Sequence, residues 1–153
     1  MRNDTQSNAI GRVLVAEDDP ELRSLIGYGL GLDGHEVVAM SNGLELSDWL
    51  ATSLFVDIVI SDVRMPGPSG LEFLARFRRT NAEIPFVLIT AFGSAELHAR
   101  ARGLGATVVL DKPFDMNDLR GLVRRLVARK GADADDGDPE VVPFLTGNEG
   151  ETQ

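Results

Sequence analysis

Four polar positions, each at the end of a short apolar run, offer the chemistry of this chain: Glu17-Asp18, Asp62, Thr90 and Lys112. The runs before them are Val13-Leu14-Val15-Ala16, Ile58-Val59-Ile60-Ser61, Phe86-Val87-Leu88-Ile89 and Val108-Val109-Leu110-Asp111. Apolar runs of about four residues between helical patterns read as strands of a parallel sheet buried on both faces. Side chains at the carboxyl ends of such strands converge on one crevice. Three carboxylates gathered there call for a divalent cation, and a lysine opposite them calls for an anionic ligand such as phosphate.

The elements that must hold these residues alternate five times. After a strand over 12–16, Asp19 can cap a helix whose first residue is Pro20, a position where the missing N–H costs nothing. Leu22, Leu25, Ile26 and Leu30 give that helix an apolar face, and Gly31 to Gly34 ends it. A second strand spans 37–40. Asn42 and Glu45 have capping-box spacing and open a helix to about Thr52. The third strand, 58–61, leads through Met65-Pro66-Gly67-Pro68-Ser69-Gly70 to a helix with Leu71, Leu74 and Phe77 inward. The fourth strand is 86–89, followed by a helix from its cap Ser94 to Arg102. The fifth, 107–110, precedes a helix capped by Asp115, with Met116, Leu119, Leu122, Val123, Leu126 and Val127 at helical spacing. Five βα units in this order predict a doubly wound five-stranded α/β domain.

Composition sets the bounds. The chain has 153 residues, 43% of them hydrophobic, enough for one domain with a sizeable core. No apolar stretch is long enough to span a membrane and the N-terminus lacks a signal-peptide core, so the expected location is the cytoplasm. Without cysteine there is neither a disulfide nor a thiolate metal site. The net charge is −9, and residues 131–153 carry seven acids with no Lys or Arg, so the folded part is nearly neutral. No basic stripe points to nucleic acid. The expected division is a flexible N-terminus over 1–10, a folded domain over 11–130, and an acidic, disordered tail or linker over 131–153. Val141-Val142-Pro143-Phe144-Leu145 is the apolar cluster of that tail, either a docking segment or the start of a further domain.

From 12 to 130 the chain resembles the receiver domain of bacterial two-component response regulators. The matching motifs are Val13-Leu14-Val15-Ala16-Glu17-Asp18-Asp19-Pro20, the run from Asp57 through Asp62 to Gly70, Leu88-Ile89-Thr90-Ala91, and Lys112-Pro113-Phe114. Any one of them alone is weak, but their joint occurrence is specific. The resemblance implies the flavodoxin-like strand order 2-1-3-4-5, with Asp62 as the aspartate that accepts a phosphoryl group from a sensor histidine kinase or phosphotransfer protein. It implies Mg²⁺ held by Asp18, Asp62 and the backbone carbonyl of Arg64, with Glu17 reaching it through water. Lys112 would pair with Asp62 and then with the phosphoryl group, its side chain aimed inward by a cis Lys112-Pro113 bond. Thr90 would offer its hydroxyl to the phosphoryl group and draw the following loop inward. Of the three acids at 17–19, Pro20 in the first helical position assigns the site pair to Glu17-Asp18 and the cap to Asp19.

One position departs from the pattern. Three residues before the lysine, many receivers carry an aromatic that swings inward; here it is Val109, so the Thr–aromatic relay cannot operate in full form. His35 and His98 have no partner at ligand spacing and read as ordinary surface or half-buried residues. Output is expected through the face formed by the fourth helix, fifth strand and fifth helix. There Arg100, Arg102, Arg120, Arg124 and Arg125 mix with Glu96, Asp111, Asp115 and Asp118, which suits a phosphorylation-dependent homodimer. Such a switch is not an enzyme in the ordinary sense: it catalyses only its own phosphotransfer and slow dephosphorylation. The chain is read either as a single-domain regulator or as the N-terminal receiver fragment of a longer transcriptional regulator. A Mg²⁺-dependent aspartyl phosphatase wants a second Asp at position 64, which is Arg. A flavin-binding module on the same fold would set its cofactor phosphate against the carboxylates.

Overall fold

The computed structural model describes residues 10–52 and 55–135. The elements alternate as expected: β1 (Arg12–Ala16), α1 (Pro20–Leu32), β2 (Glu36–Met40), α2 (Gly43–Leu50), β3 (Ile58–Asp62), α3 (Gly70–Thr80), β4 (Phe86–Thr90), α4 (Ala95–Gly103), β5 (Val108–Asp111) and α5 (Met116–Asp135). The strands form one parallel sheet in the order β2-β1-β3-β4-β5. From β1 the chain first moves outward to β2 and then returns to β3 on the other side. The switch point therefore falls between β1 and β3, where a crevice opens at the strands' carboxyl ends.

Successive side chains of a strand point to opposite faces, which is why these strands read as unbroken apolar runs. Val13, Val15, Ile58, Ile60, Val87 and Ile89 pack under α1 and α5 against Ile26, Leu30, Leu119 and Val123. Leu14, Val59, Phe86, Leu88 and Val109 pack on the other face against Leu46 of α2, Phe73, Leu74 and Phe77 of α3, and Ala101 of α4. Phe73, Phe77 and Phe86 meet with ring centroids 5.6 to 6.0 Å apart. Contacts of this kind add to the area term of burial.

The expected caps form. Asp19 accepts from the Glu21 N–H at 3.0 Å, Ser94 from Leu97 at 3.1 Å and Asp115 from Asn117 at 2.8 Å. Asn42 accepts from Glu45 at 2.9 Å, but the Glu45 carboxylate reaches back to the Ser41 N–H at 2.7 Å rather than to Asn42. The reciprocal capping box lies instead at Ser69 and Glu72, opening α3. Each cap is worth about 1 kcal/mol.

Several boundaries and exposures differ from the sequence reading. Asp62 and Thr90 are the last residues of β3 and β4 rather than the first residues beyond them. The ladder extends through them because Val63 N–H still bonds Ile89 carbonyl. On α1, Ile26 and Leu30 are buried and Leu22 half-buried, but Leu25 is 50% exposed. The apolar face is thus narrower than the spacing suggests, with Leu25 at its margin. His35 and His98 are both buried, contrary to expectation. Helix α5 continues to Asp135, past Lys130; helix-favouring Ala132 and Ala134 lie in that stretch, and proline comes only at 139. Residues 1–9, the remaining tail and its Val141–Leu145 cluster lie outside the described residues.

Candidate functional site

Each site residue is delivered by a strand end. Glu17 follows β1, and its own N–H bonds the carbonyl of Met40 on β2, which turns its side chain into the crevice. Its carboxylate is 1% exposed. Glu17 Oε2 accepts from the Asp19 N–H at 3.1 Å, while Arg23 Nη1 donates to the Glu17 carbonyl at 2.9 Å. Asp62 ends β3 and is 4% exposed; Asp18 faces solvent. Carboxylate oxygens of Glu17, Asp18 and Asp62 all lie within 4.8 Å of one another.

Lys112, one residue beyond β5, supplies the countercharge. Its Nζ donates to Asp62 Oδ2 at 2.9 Å and to Glu17 Oε2 at 3.4 Å. The Lys112-Pro113 bond is cis. Burial alone would depress this ammonium, but the hydrogen bond and charge of Asp62, joined by Glu17, hold it above the usual lysine range. Burial pushes the Glu17 carboxyl up to about 7, with the Asp62 charge adding to it, against the opposing pull of the Asp19 N–H and Lys112.

One cation thus faces three carboxylates. Glu17 Oε1, 3.2 Å from Lys112 Nζ, is buried yet makes no hydrogen bond. A buried acceptor left in that state costs free energy. An oxygen-seeking divalent cation fits this donor set, since magnesium needs few protein ligands and keeps several waters.

Thr90 ends β4 next to β3; Asp62 pairs in register with Ile89. The Thr90 hydroxyl accepts from the Phe92 N–H at 3.0 Å, which shapes the loop over 91–94. Arg64 N–H lies 3.4 Å from Asp62 Oδ1, a weak contact, and its guanidinium sits 4.7 Å over the exposed Phe92 ring. Nothing in sequence spacing brings 64 to 92, or Arg23 to the Glu17 carbonyl. Beside the crevice opens a cleft of about 540 Å³ bordered by Leu22, Leu25, Ala91, Lys112, Phe114 and Met116.

The model of the response regulator receiver domain family matches residues 13–124. The chain belongs to that family. The sporulation initiation phosphotransferase F of Bacillus subtilis is 28% identical over 119 residues, 78% of this chain and 95% of that protein. The C4-dicarboxylate transport transcriptional regulatory protein DctD of Pseudomonas aeruginosa is 36% identical over 74% of this chain, but over only 24% of its own length. An uncharacterized transcriptional regulatory protein of Bacillus subtilis, YkoG, is 31% identical over 89% of this chain and 58% of itself. This receiver therefore spans 58% and 24% of those two regulators. Among solved structures, the receiver domain of the Francisella response regulator 1452 superposes with a TM-score of 0.73 at 27% identity, covering 78% of this chain and 98% of that one. As a receiver, this is a signalling domain.

The α4–β5–α5 face, where output is expected, is less free than its charges suggested. Arg120 forks onto Asp33 at the end of α1 with bonds of 3.0 and 2.7 Å, and Arg124 approaches the same carboxylate at 3.5 Å. These two arginines tie α5 to α1, and they hold Asp33 below the usual carboxylate range. Asp111 is engaged by His98 at 2.9 Å. Arg100, Arg102 and Arg125 remain exposed.

Proposed function

We propose that this receiver accepts a phosphoryl group onto Asp62 from a phosphohistidine of a sensor histidine kinase or phosphotransfer protein, in a Mg²⁺-dependent reaction. The observation that carries the reading is the buried Asp62 carboxylate, held at 2.9 Å by Lys112 inside a cluster of three acids. In the transfer an Asp62 oxygen attacks phosphorus: the O–P bond forms, the P–N bond breaks, and the electron pair stays on the donor imidazole, which takes up a proton. Glu17, Asp18, Asp62 and the Arg64 backbone carbonyl would hold Mg²⁺, which when bound offsets the charge on the phosphoryl oxygens. Lys112 transfers its hydrogen bond from Asp62 Oδ2 to a phosphoryl oxygen, and Thr90 turns its hydroxyl the same way. The cleft beside Lys112, with its exposed Leu25, offers the donor an apolar seat.

The working unit is residues 11–130, in the cytoplasm, and it catalyses its own phosphotransfer and dephosphorylation. Its state leaves through α4, β5 and α5. Arg100, Arg102 and Arg125 with Glu96, Asp115 and Asp118 are the charges left for contact with a second copy. The receiver acts either by itself, a reading supported by the 95% coverage of the sporulation initiation phosphotransferase F, or as a module of a longer transcriptional regulator, a reading supported by the partial coverage of DctD and YkoG.

Incubation with acetyl phosphate and Mg²⁺ should add one phosphoryl group, labile to hydroxylamine as an acyl phosphate is. Asp62→Asn should take up none. Label that persists in that variant, or that resists hydroxylamine, overturns the assignment.

A further inference from the structure

Helix α4 is thinly anchored. Of its nine residues only His98 and Ala101 are buried, with Leu97 half-buried. An element with so little apolar burial opens at low cost, so a single polar link can set its position. That link is the bond from His98 Nε2 to Asp111 Oδ1, 2.9 Å long and joining α4 to the last residue of β5.

The bond lies directly under the loop that Thr90 controls. Asp111 pairs in register with Thr90, and the Lys112 N–H donates to the Thr90 carbonyl at 2.8 Å. The Thr90 hydroxyl holds the Phe92 N–H, and the next residue, Gly93, presses on the pair itself. A Cβ at 93 would stand 2.1 Å from Asp111 Oδ1 and 2.9 Å from His98 Nε2. Real Cβ atoms do not approach so closely, so a side chain at 93 would force the Asp111 carboxylate and the His98 ring to shift. Movement of Gly93 toward the pair would crowd the His98–Asp111 bond.

We propose that the His98–Asp111 pair is a latch that fixes α4 while Asp62 is unmodified and lets it go when Thr90 draws the 91–94 loop inward. It supplies a route to α4 where Val109, fully buried and too small to swing, replaces the usual aromatic. Only the trigger rests on the phosphoacceptor reading; the fastening of α4 does not. His98 and Asp111 are positioning residues, touching neither metal nor phosphoryl group.

The test is hydrogen exchange of the full chain, with and without beryllofluoride and Mg²⁺, for wild type, His98→Leu, Asp111→Ala and Gly93→Ala. In wild type, amides of 95–103 should exchange about fivefold faster with beryllofluoride. In each variant they should already exchange at the faster rate without it, and beryllofluoride should add less than about twofold. The double variant His98→Leu/Asp111→Ala should behave as either single one, because one link is being removed. Gly93→Ala keeps both side chains of the pair but crowds their bond, so it separates the latch from loss of the two residues themselves. Variants as protected as wild type before beryllofluoride, or a full increment remaining in them, would overturn the latch, as would a wild type whose α4 does not respond. Acetyl phosphate labelling runs in parallel. Failure of wild type to take label sinks the phosphoacceptor reading, while metal-free exchange in the variants still judges the fastening of α4.

Discussion

Asp18 and Glu17 are neighbours in sequence with opposite surroundings. Glu17 is buried and bonded on several sides, whereas Asp18 faces solvent and enters no hydrogen bond or ion pair among the described residues. Asp18→Asn should therefore change metal-free stability by no more than about 0.5 kcal/mol, as surface substitutions usually do. Millimolar Mg²⁺ should raise the melting temperature of wild type by binding the native state alone, and it should not raise that of Asp18→Asn. Thermal denaturation at matched ionic strength measures both, and an equal Mg²⁺ response in the two proteins would remove Asp18 from the metal site. These residues were legible in the sequence because each closes a strand and the motifs fix its place. His98 and Asp111 were not, since 13 positions on two different elements separate them and neither stands in a motif. Sequence spacing offers His98 no partner, and only folding provides one.

Elements fix how far the site residues can move. Gly70, the first residue of α3, lies so close to β3 that a Cβ there would stand 2.3 Å from the Asp62 carbonyl oxygen and 3.0 Å from Ser61 Oγ. Gly70→Ala should push the end of β3 aside, at roughly 1–3 kcal/mol of overpacking. Because Asp62 moves with that strand end, acetyl phosphate labelling should slow as well; unchanged labelling would mean that α3 absorbs the shift instead. Leu25 poses the opposite case, an apolar residue at the margin of α1 that packs against little. Leu25→Glu should leave acetyl phosphate labelling intact and reduce transfer from a phosphorylated kinase domain at least about tenfold, the loss of about 1.4 kcal/mol of docking. Equal rates from the kinase would place the donor elsewhere. Spacing places Leu25 on the apolar face of α1, but helical periodicity marks a stripe and not its width; the sheet beneath decides how much of it is covered.

At the level of the whole molecule, His35 makes stability depend on pH. It is 6% exposed, neither ring nitrogen has a hydrogen-bond partner, and burial lowers its pKa below the ordinary 6.5, with Arg124 adding to that against Asp33 and Asp57. The unfolded chain therefore binds this proton more readily than the native one. Stability from this group is fully present above 6.5 and lost as pH falls from there toward the depressed native value. Glu17, whose carboxyl is raised, acts in the other sense in metal-free protein, its contribution falling as pH rises from 4.5 toward about 7. Comparison of wild type with His35→Leu isolates the histidine. The variant should gain on wild type as pH is lowered from 7.5 to 5.5, read by urea denaturation at each pH, whereas a constant difference would show that His35 does not titrate on unfolding. Among the described residues no helix is long and apolar enough to cross a membrane.

The order of elements, the parallel sheet and the four polar strand ends were determined by the sequence itself, because they rest on local periodicity, caps and short motifs. A run such as Val13-Leu14-Val15-Ala16 can be buried on both faces only in the middle of a layered α/β sheet, and the chain offers five such units. What lies between elements was decided by the tertiary structure. Arg120 could equally have faced a partner copy, but Asp33 at the end of α1 takes it. Glu17 and Asp18, adjacent in the chain, become a buried and an exposed carboxylate only once the strand ends are brought together. Packing two elements fixes pairings and dielectric at once, and neither is written in the spacing of residues along one element.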